Sequence, residues 1–348
     1  MHIPDGYLSP QTCLTLGAAM IPVWATAATK LKKTLKEKQV PLLAIGAAFS
    51  FTIMMYNVPI PDGTTAHAVG ATLMAITLGP WAATVGVTIA LIIQAFFFGD
   101  GGILAIGANT FNMAFVMPLV GYYIYRLISG NSEVTSSRRV VAAVIAGYVS
   151  INIAALVAGF EFGIQPTLFH AADGTPLYAP YTLGQALPAM AFAHMLIAGP
   201  IEGVVTGLVV KYLQSANPGL LQMYPVRTST DAAPGTAPSY KKLWYGLIGL
   251  MIFAPLGLLA SGTAWGEWSG EEMQGLLGFI PQGMAKYADI WTAALPDYSI
   301  PGFEGTFMQS ALAYIVSAIV GLLLILLITS LIGWWQKRNV KSTQPASK

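Results

Sequence analysis

The chain has little charge and almost no cysteine. Charged residues make up 9% of its 348 positions, and Cys13 is the only cysteine. A soluble globular chain carries about a quarter charged residues, so a water-facing fold is excluded. A lone cysteine excludes an internal disulfide and any thiolate metal cage. The phosphate-cradling pattern G-x-x-x-x-G-K-[ST] is absent, as are G-x-S-x-G and H-E-x-x-H. An ATP-driven step would therefore need a separate ATPase subunit. Also missing is a basic stretch ahead of the first apolar run, where Asp5 is the only charged side chain in MHIPDGYLSP. The expectation is that no signal peptide is removed and that Met1-His2 remains at the amino terminus. The basic residues lie scattered beside apolar runs, which gives nucleic-acid binding no support.

Apolar residues are abundant: 55% of the chain, with a mean hydropathy of +0.63. A bilayer crossing needs about 20 apolar residues. The patterning predicts helices near 10–29, 41–57, 64–79, 81–98, 103–125, 140–160, 184–210, 243–262 and 310–335. The expected class is an all-α polytopic membrane protein with nine crossings. About seven helices form one bundle and two form a C-terminal module. Charge placement supports this topology. With the amino terminus outside, all 17 Lys and Arg except Lys286 fall on the cytoplasmic side. That is the positive-inside bias expected of short loops.

The organisation reads as a bundle domain over 1–213, a Pro/Ser/Thr/Ala/Gly-rich cytoplasmic linker over 214–242, and a second module over 243–335. An acidic, aromatic outer loop occupies 263–309, and 336–348 forms a cytoplasmic tail. The Trp and Tyr residues of the outer loop suit a membrane interface, and the loop has no ligand cluster of its own.

Chemistry concentrates at the amino terminus. The α-amine of Met1, the peptide nitrogen of His2 and the His2 imidazole can close two fused chelate rings around one ion. The middle donor must lose its amide proton, which favours Ni(II) or Cu(II), ions that accept a square plane of nitrogens. His67, past the outer turn PIPDGTTAHAVG, can supply the fourth nitrogen. Each histidine taken singly is better explained by solvation, a cap or a loop contact; the two together, on one face of a chain with so few ionisable groups, point to a site. Asp5 is either a support for an imidazole N–H or the centre of an Asx-type turn. Asp62 repeats the P-D-G turn, with Thr64 and Thr65 as capping or supporting candidates. FFFGDGGILAIGANTFNM places Asp100 and Asn109, with Gln94 just upstream, around a Gly-rich turn that is either a cradle for the site or a plain helix hairpin. Glu202 is the one acid inside a predicted span. It could serve a transport path or a partner helix, or stay protonated on a backbone group. His194 lies eight positions earlier, about 80° round the helix, so the two are not a chelating pair. His170 is expected to be solvated and Cys13 to pack in a helix.

MHIPDG, PIPDGTTAHAVGATLMAITLGPWAA and IQAFFFGDGGILAIGANTFNM resemble the substrate-binding M subunit of energy-coupling-factor nickel/cobalt transporters, the CbiM/NikM family. The likeness covers about 1–213. The C-terminal module is similar to the small N subunit of those systems, with PDYSIPG where that subunit has a PDGL-like stretch; Tyr298 stands at the Gly position. The resemblance implies a fused M–N transporter subunit in a bacterial inner membrane, with no catalytic activity of its own. It implies metal ligation by the amine and backbone of Met1 and His2, the His2 ring and His67. Implied partners are a transmembrane T subunit and two cytoplasmic ABC-type ATPases. The transported ion would be Ni(II), which four planar nitrogens suit, or Co(II) for cobalamin synthesis, with no separate cofactor. The N-like part is implied to assist metal loading. Rival readings are a stand-alone secondary carrier, for which only Glu202 offers a coupling group, and an intramembrane enzyme, which would need an open coordination position.

Overall fold

The computed structural model describes residues 1–34, 40–222, 240–303 and 305–341. Most of the expected linker, 223–239, and the end of the expected tail, 342–348, lie outside the described residues. Helix α1 (Pro10–Thr34) opens where the Ser9 hydroxyl accepts the Thr12 N–H at 3.1 Å and Pro10 occupies the first helical position. After α2 (Val40–Met54) comes a short hairpin of β1 (Val58–Pro59) and β2 (Thr65–Ala66), then α3 (Ala71–Leu78) and α4 (Pro80–Ile93). α4 runs on as a π-helical turn over Gln94–Phe98. α5 (Ile106–Asn109) passes through a second π segment, Thr110–Val116, into α6 (Met117–Ser129). α7 (Ser137–Gly163) is followed by α8 (Gln165–Leu168) and α9 (Leu183–Ala193). A third π turn, His194–Ala198, leads into α10 (Gly199–Ala216), and α11 (Pro218–Gln222) closes the first module.

The second module holds α12 (Lys241–Phe253), the short α13 (Gly270–Leu277) and α14 (Gln282–Tyr287), and α15 (Phe307–Lys341). Among the described residues, seven helical segments are long and apolar enough to cross a membrane. The chain is thus a multi-pass membrane protein. Two of the nine expected segments are shorter: α2 has 15 residues and α3 only 8.

The expected helix at 64–79 is corrected in its first two turns, residues 64–70. Gly63 and Gly70 take φ of 87° and 75°, the left-handed region open to glycine. The chain between them is extended, and helix begins only at Ala71. A buried extended backbone needs partners for its N–H and C=O groups, and protein supplies them in place of water. Thr64 O accepts from Ile60 N at 2.8 Å, and Glu202 accepts from Val69 and Gly70.

Small residues set the helix packing of the first module. A Cβ on Gly203 of α10 would lie 2.7 Å from Val144 O of α7, so these two backbones touch at a distance only glycine permits. The 263–309 segment is folded down onto the first module. Tyr7 donates its hydroxyl to Trp268 O at 2.7 Å, Leu295 N donates to Phe97 O at 2.9 Å, and Gly283 N to Leu177 O at 2.6 Å. Its aromatics pack inward as well: Trp265 stacks near Tyr181 with centroids 4.6 Å apart and meets Phe162 edge-on. Trp291 of the same segment stays 48% exposed, as a membrane-interface aromatic would.

Candidate metal centre

Residues 1–8 do not lie on the surface. Met1, His2 and Ile3 are 6%, 2% and 0% exposed, although they form the chain's end. Their burial follows from backbone pairing. Asn109 clamps Ile3 from both sides, accepting from Ile3 N at 2.7 Å and donating to Ile3 O at 3.1 Å. Gly102 N adds a second bond to Ile3 O at 2.8 Å. Asp5 anchors the next turn by accepting the N–H groups of Ile103, Leu104 and Ala105 at 2.9, 2.8 and 3.3 Å. Gly102 must be glycine because a Cβ there would collide with the Asp5 carboxylate and backbone. Of the two readings of Asp5, then, its carboxylate does neither job directly. It pins the amino-terminal segment to the Gly-rich turn.

This threading brings the His2 ring to the ring of His67. His2 Nδ1 lies 3.2 Å from His67 Nε2, with ring centroids 5.0 Å apart. His67 Nδ1 donates to Ala68 O at 3.0 Å, which leaves Nε2 with its lone pair toward His2. Two nitrogens about 2 Å from one ion and at right angles sit about 2.8 Å apart, so the observed spacing suits neighbouring corners of one coordination plane. Asp100 Oδ1 lies 3.1 Å from His2 Nδ1, and Gln94 Oε1 lies 3.3 Å from His2 Nε2. The α-amine of Met1 sits against Glu267 Oε1 at 3.0 Å.

Electrostatics hold both rings neutral. Burial, then the charge of the Met1 amine, pulls the His2 imidazole down from 6.5 to about 4. Burial, the same amine and the neighbouring His2 hold His67 well below its ordinary value. Neutral imidazoles are the form that binds a metal ion. Burial raises Asp100, against the lowering effect of the Tyr298 hydroxyl. Among the described residues no three His, Cys, Asp or Glu side chains converge as a resident metal cage.

The remaining candidates divide. Asp62 accepts from Thr64 N at 3.0 Å and Thr64 Oγ1 at 2.7 Å, a self-contained turn that does not reach the imidazoles. Glu202 is 1% exposed and accepts from Val69 N and Gly70 N at 2.8 and 2.9 Å, tying the His67 loop to α10. His194 donates Nδ1–H to Met190 O at 2.8 Å, in the preceding turn of α9. The sequence reading missed two residues, Glu267 and Tyr298, both from the second module. Tyr298 donates its hydroxyl to Asp100 Oδ2 and accepts from Gln94 Nε2, the latter at 2.8 Å. Asp297 and Tyr298 have φ of 50° and 60°. For a residue as bulky as tyrosine this left-handed backbone costs about 1–2 kcal/mol. Asp297 and Tyr298 thus form a left-handed turn of the kind glycine favours, and that geometry aims the Tyr298 ring at the site.

A cavity of about 550 Å³ borders these groups, lined by His2, His67, Asp100, Glu267, Asp297 and Tyr298 among others, with no Lys or Arg among the described residues that line it. Fold and site together define a polytopic membrane protein that buries its amino terminus beside two neutral imidazoles, under a cover from a second module. Residues 2–220 match the CbiM family, described as a cobalt uptake substrate-specific transmembrane region, and residues 241–338 match the PDGLE domain. The chain belongs to the CbiM family and carries a PDGLE domain in the same polypeptide. It is 48% identical over 341 residues to the fused nickel transport protein NikMN of Rhodobacter capsulatus, covering 93% of this chain and 95% of that one. It is 46% identical over 337 residues to a probable fused nickel transport protein LarMN of Lactiplantibacillus plantarum, covering 94% and 96%. A crystal structure of a transition metal transporter, 62% identical, superposes with a TM-score of 0.58, covering 62% of this chain and 92% of that one.

Proposed function

We propose that this chain is the substrate-capture subunit of an ATP-driven nickel or cobalt importer of the energy-coupling-factor type. The ion is cargo and is bound outside the membrane by the Met1 amine, the His2 peptide nitrogen, His2 Nδ1 and His67 Nε2. One observation carries this reading: the buried amino terminus sets His2 Nδ1 and His67 Nε2 3.2 Å apart, both rings uncharged. The kinship with fused nickel transport proteins over nearly the whole chain supports nickel as cargo. Domain 1–213 binds the metal, the linker 214–242 lies in the cytoplasm, and 243–335 covers the site from outside. Partners are a transmembrane T subunit and two cytoplasmic ABC-type ATPases, since no phosphate-binding loop occurs in the chain.

The test is uptake of labelled Ni(II) into vesicles holding the chain with or without its T and ATPase subunits. ATP-dependent uptake that needs all subunits supports the reading. Uptake by the chain alone under an ion gradient would make it a secondary carrier.

A further inference from the structure

Tyr298 is held by four separate contacts, three to its ring and one to its main-chain carbonyl. Its ring stacks on Phe98 at 4.9 Å and 23°, and meets Phe51 and Tyr314 edge-on. Its carbonyl accepts from Ser317 Oγ at 2.8 Å. The ring is 6% exposed and sits on a left-handed backbone, so its hydroxyl has one direction to point. That direction is toward the pair formed by Asp100 and Gln94.

The hydrogens in this group can be assigned from the partners. Asp100 Oδ2 accepts from the Tyr298 hydroxyl and faces Gln94 Nε2 at 3.2 Å. Tyr298, having given its one hydrogen to Asp100, accepts from Gln94 Nε2 at 2.8 Å. Both neighbours therefore require the amide NH₂ of Gln94 on their side. Gln94 Oε1 is then turned to His2 Nε2 at 3.3 Å, where only an N–H satisfies it. A neutral imidazole with its hydrogen on Nε2 has its lone pair on Nδ1. This choice decides whether the terminus can chelate. The ring that starts at the His2 peptide nitrogen closes through Cβ and Cγ onto Nδ1, and Nε2 lies too far round the imidazole to close it. His2 Nδ1 then faces His67 Nε2 at 3.2 Å and Asp100 Oδ1 at 3.1 Å with no hydrogen between them, three acceptors whose mutual repulsion a cation relieves.

We propose that Tyr298, supplied by the C-terminal module, is a positioning residue for metal binding. It fixes the orientation of the Gln94 amide and through it holds His2 in the Nε2–H tautomer that presents Nδ1 to the ion. This inference rests on the proposed metal site. It makes the second module part of the site's chemistry as well as its cover. Loss of an outer hydrogen-bond partner to a metal-binding histidine costs roughly 10–100-fold in affinity.

The test uses the full chain with its native terminus. In metal-free protein labelled with ¹⁵N-histidine, the His2 ring shifts should report Nε2–H and an unprotonated Nδ1. The Nδ1–H tautomer in wild type overturns the inference without any variant. Tyr298→Phe keeps the ring and its packing. It should weaken Ni(II) binding by roughly 10–100-fold, alter the visible d–d spectrum of the bound ion and mix the His2 tautomers. Gln94→Ala should do the same, and the double variant should be no worse than the more affected single one, because both act through one amide. Unchanged affinity and spectrum in Tyr298→Phe, or strictly additive losses, overturn it. If wild type binds no Ni(II), or binds it equally with an extended terminus, the site itself is wrong. If wild type depends on its terminus but not on Tyr298, only the present inference fails.

Discussion

Glu267 Oε1 lies 3.0 Å from the α-amine of Met1, across 266 positions of sequence. The pair joins the outer segment of the second module to the first atom of the chain. An amine bound to a metal ion cannot keep a hydrogen bond to this carboxylate as an ammonium group, so the pair belongs to the metal-free protein. Glu267→Gln is expected to destabilise the metal-free form by about 1 kcal/mol, the worth of one charge-assisted hydrogen bond at a partly buried site. The nickel-loaded form should change less. Thermal unfolding of both proteins with and without Ni(II) measures the difference, and an equal effect in both forms would count against amine ligation.

Glu202 reaches from α10 to the backbone of the His67 loop. Truncation to Ala leaves the N–H groups of Val69 and Gly70 buried without partners and should cost about 2–4 kcal/mol. Metal affinity should fall with it, because the loop carrying His67 loses its anchor. Gln keeps an acceptor oxygen in place, so Glu202→Gln should retain most stability and binding. If the Gln variant is as damaged as the Ala variant, the charge of Glu202 matters beyond its hydrogen bonds.

Gly102→Ala tests the anchoring of the terminus without altering any ligand. The added Cβ would strike Asp5 and push it from the N–H groups of residues 103–105. Nickel affinity should drop at least tenfold, as for loss of an outer support. Gly63→Ala places a side chain at positive φ, at 87°, a strain Gly102→Ala lacks, but in open space away from the terminus. It should leave affinity far closer to wild type. Equal losses in the two variants would show that the Asp5 anchor is irrelevant.

Protons should destabilise the metal-free protein through the imidazoles. His2 titrates at about 4 in the folded state and at 6.5 in an ordinary setting, so between these values the unfolded chain holds more protons. Stability then rises with pH across that window and is lost as pH falls, by at most roughly 3 kcal/mol from His2. His67, lowered in the same sense, adds to it. Asp5 and Asp100, both raised by burial, oppose this trend, and comparison with His2→Ala, which keeps both carboxylates, isolates the imidazole contribution between about pH 4 and 6.5. Unfolding midpoints of wild type against His2→Ala over this range check the sign.

Apolar period and charge placement were enough to mark the membrane segments, because lipid demands long apolar helices wherever they pack. The pairing of His2 with His67 was legible too, since two histidines on one face of a chain with so few ionisable groups stand out. The backbone from Thr64 to Gly70 was not. Its apolar composition resembles a helix start, and only the carboxylate of Glu202, 132 positions on from Gly70, makes an extended course satisfiable. Asp62 and Thr64 looked like supports because they flank His67, yet their hydrogen bonds close on each other. Glu267 and Tyr298 carried no signal. Each is an unremarkable residue of an acidic, aromatic loop until that loop is folded over the terminus, and nothing local to PDYSIPG reveals what its turn faces.

The account stands on the amino terminus as a ligand. Its most direct test is equilibrium Ni(II) binding to the purified chain with its native terminus, beside a form with one residue added ahead of Met1 and a His67→Ala form. The extension moves the amine out of the chelate while leaving every side chain in place. The account predicts that tight binding is lost in both altered proteins. Binding of the extended protein as tight as that of the native one would contradict it.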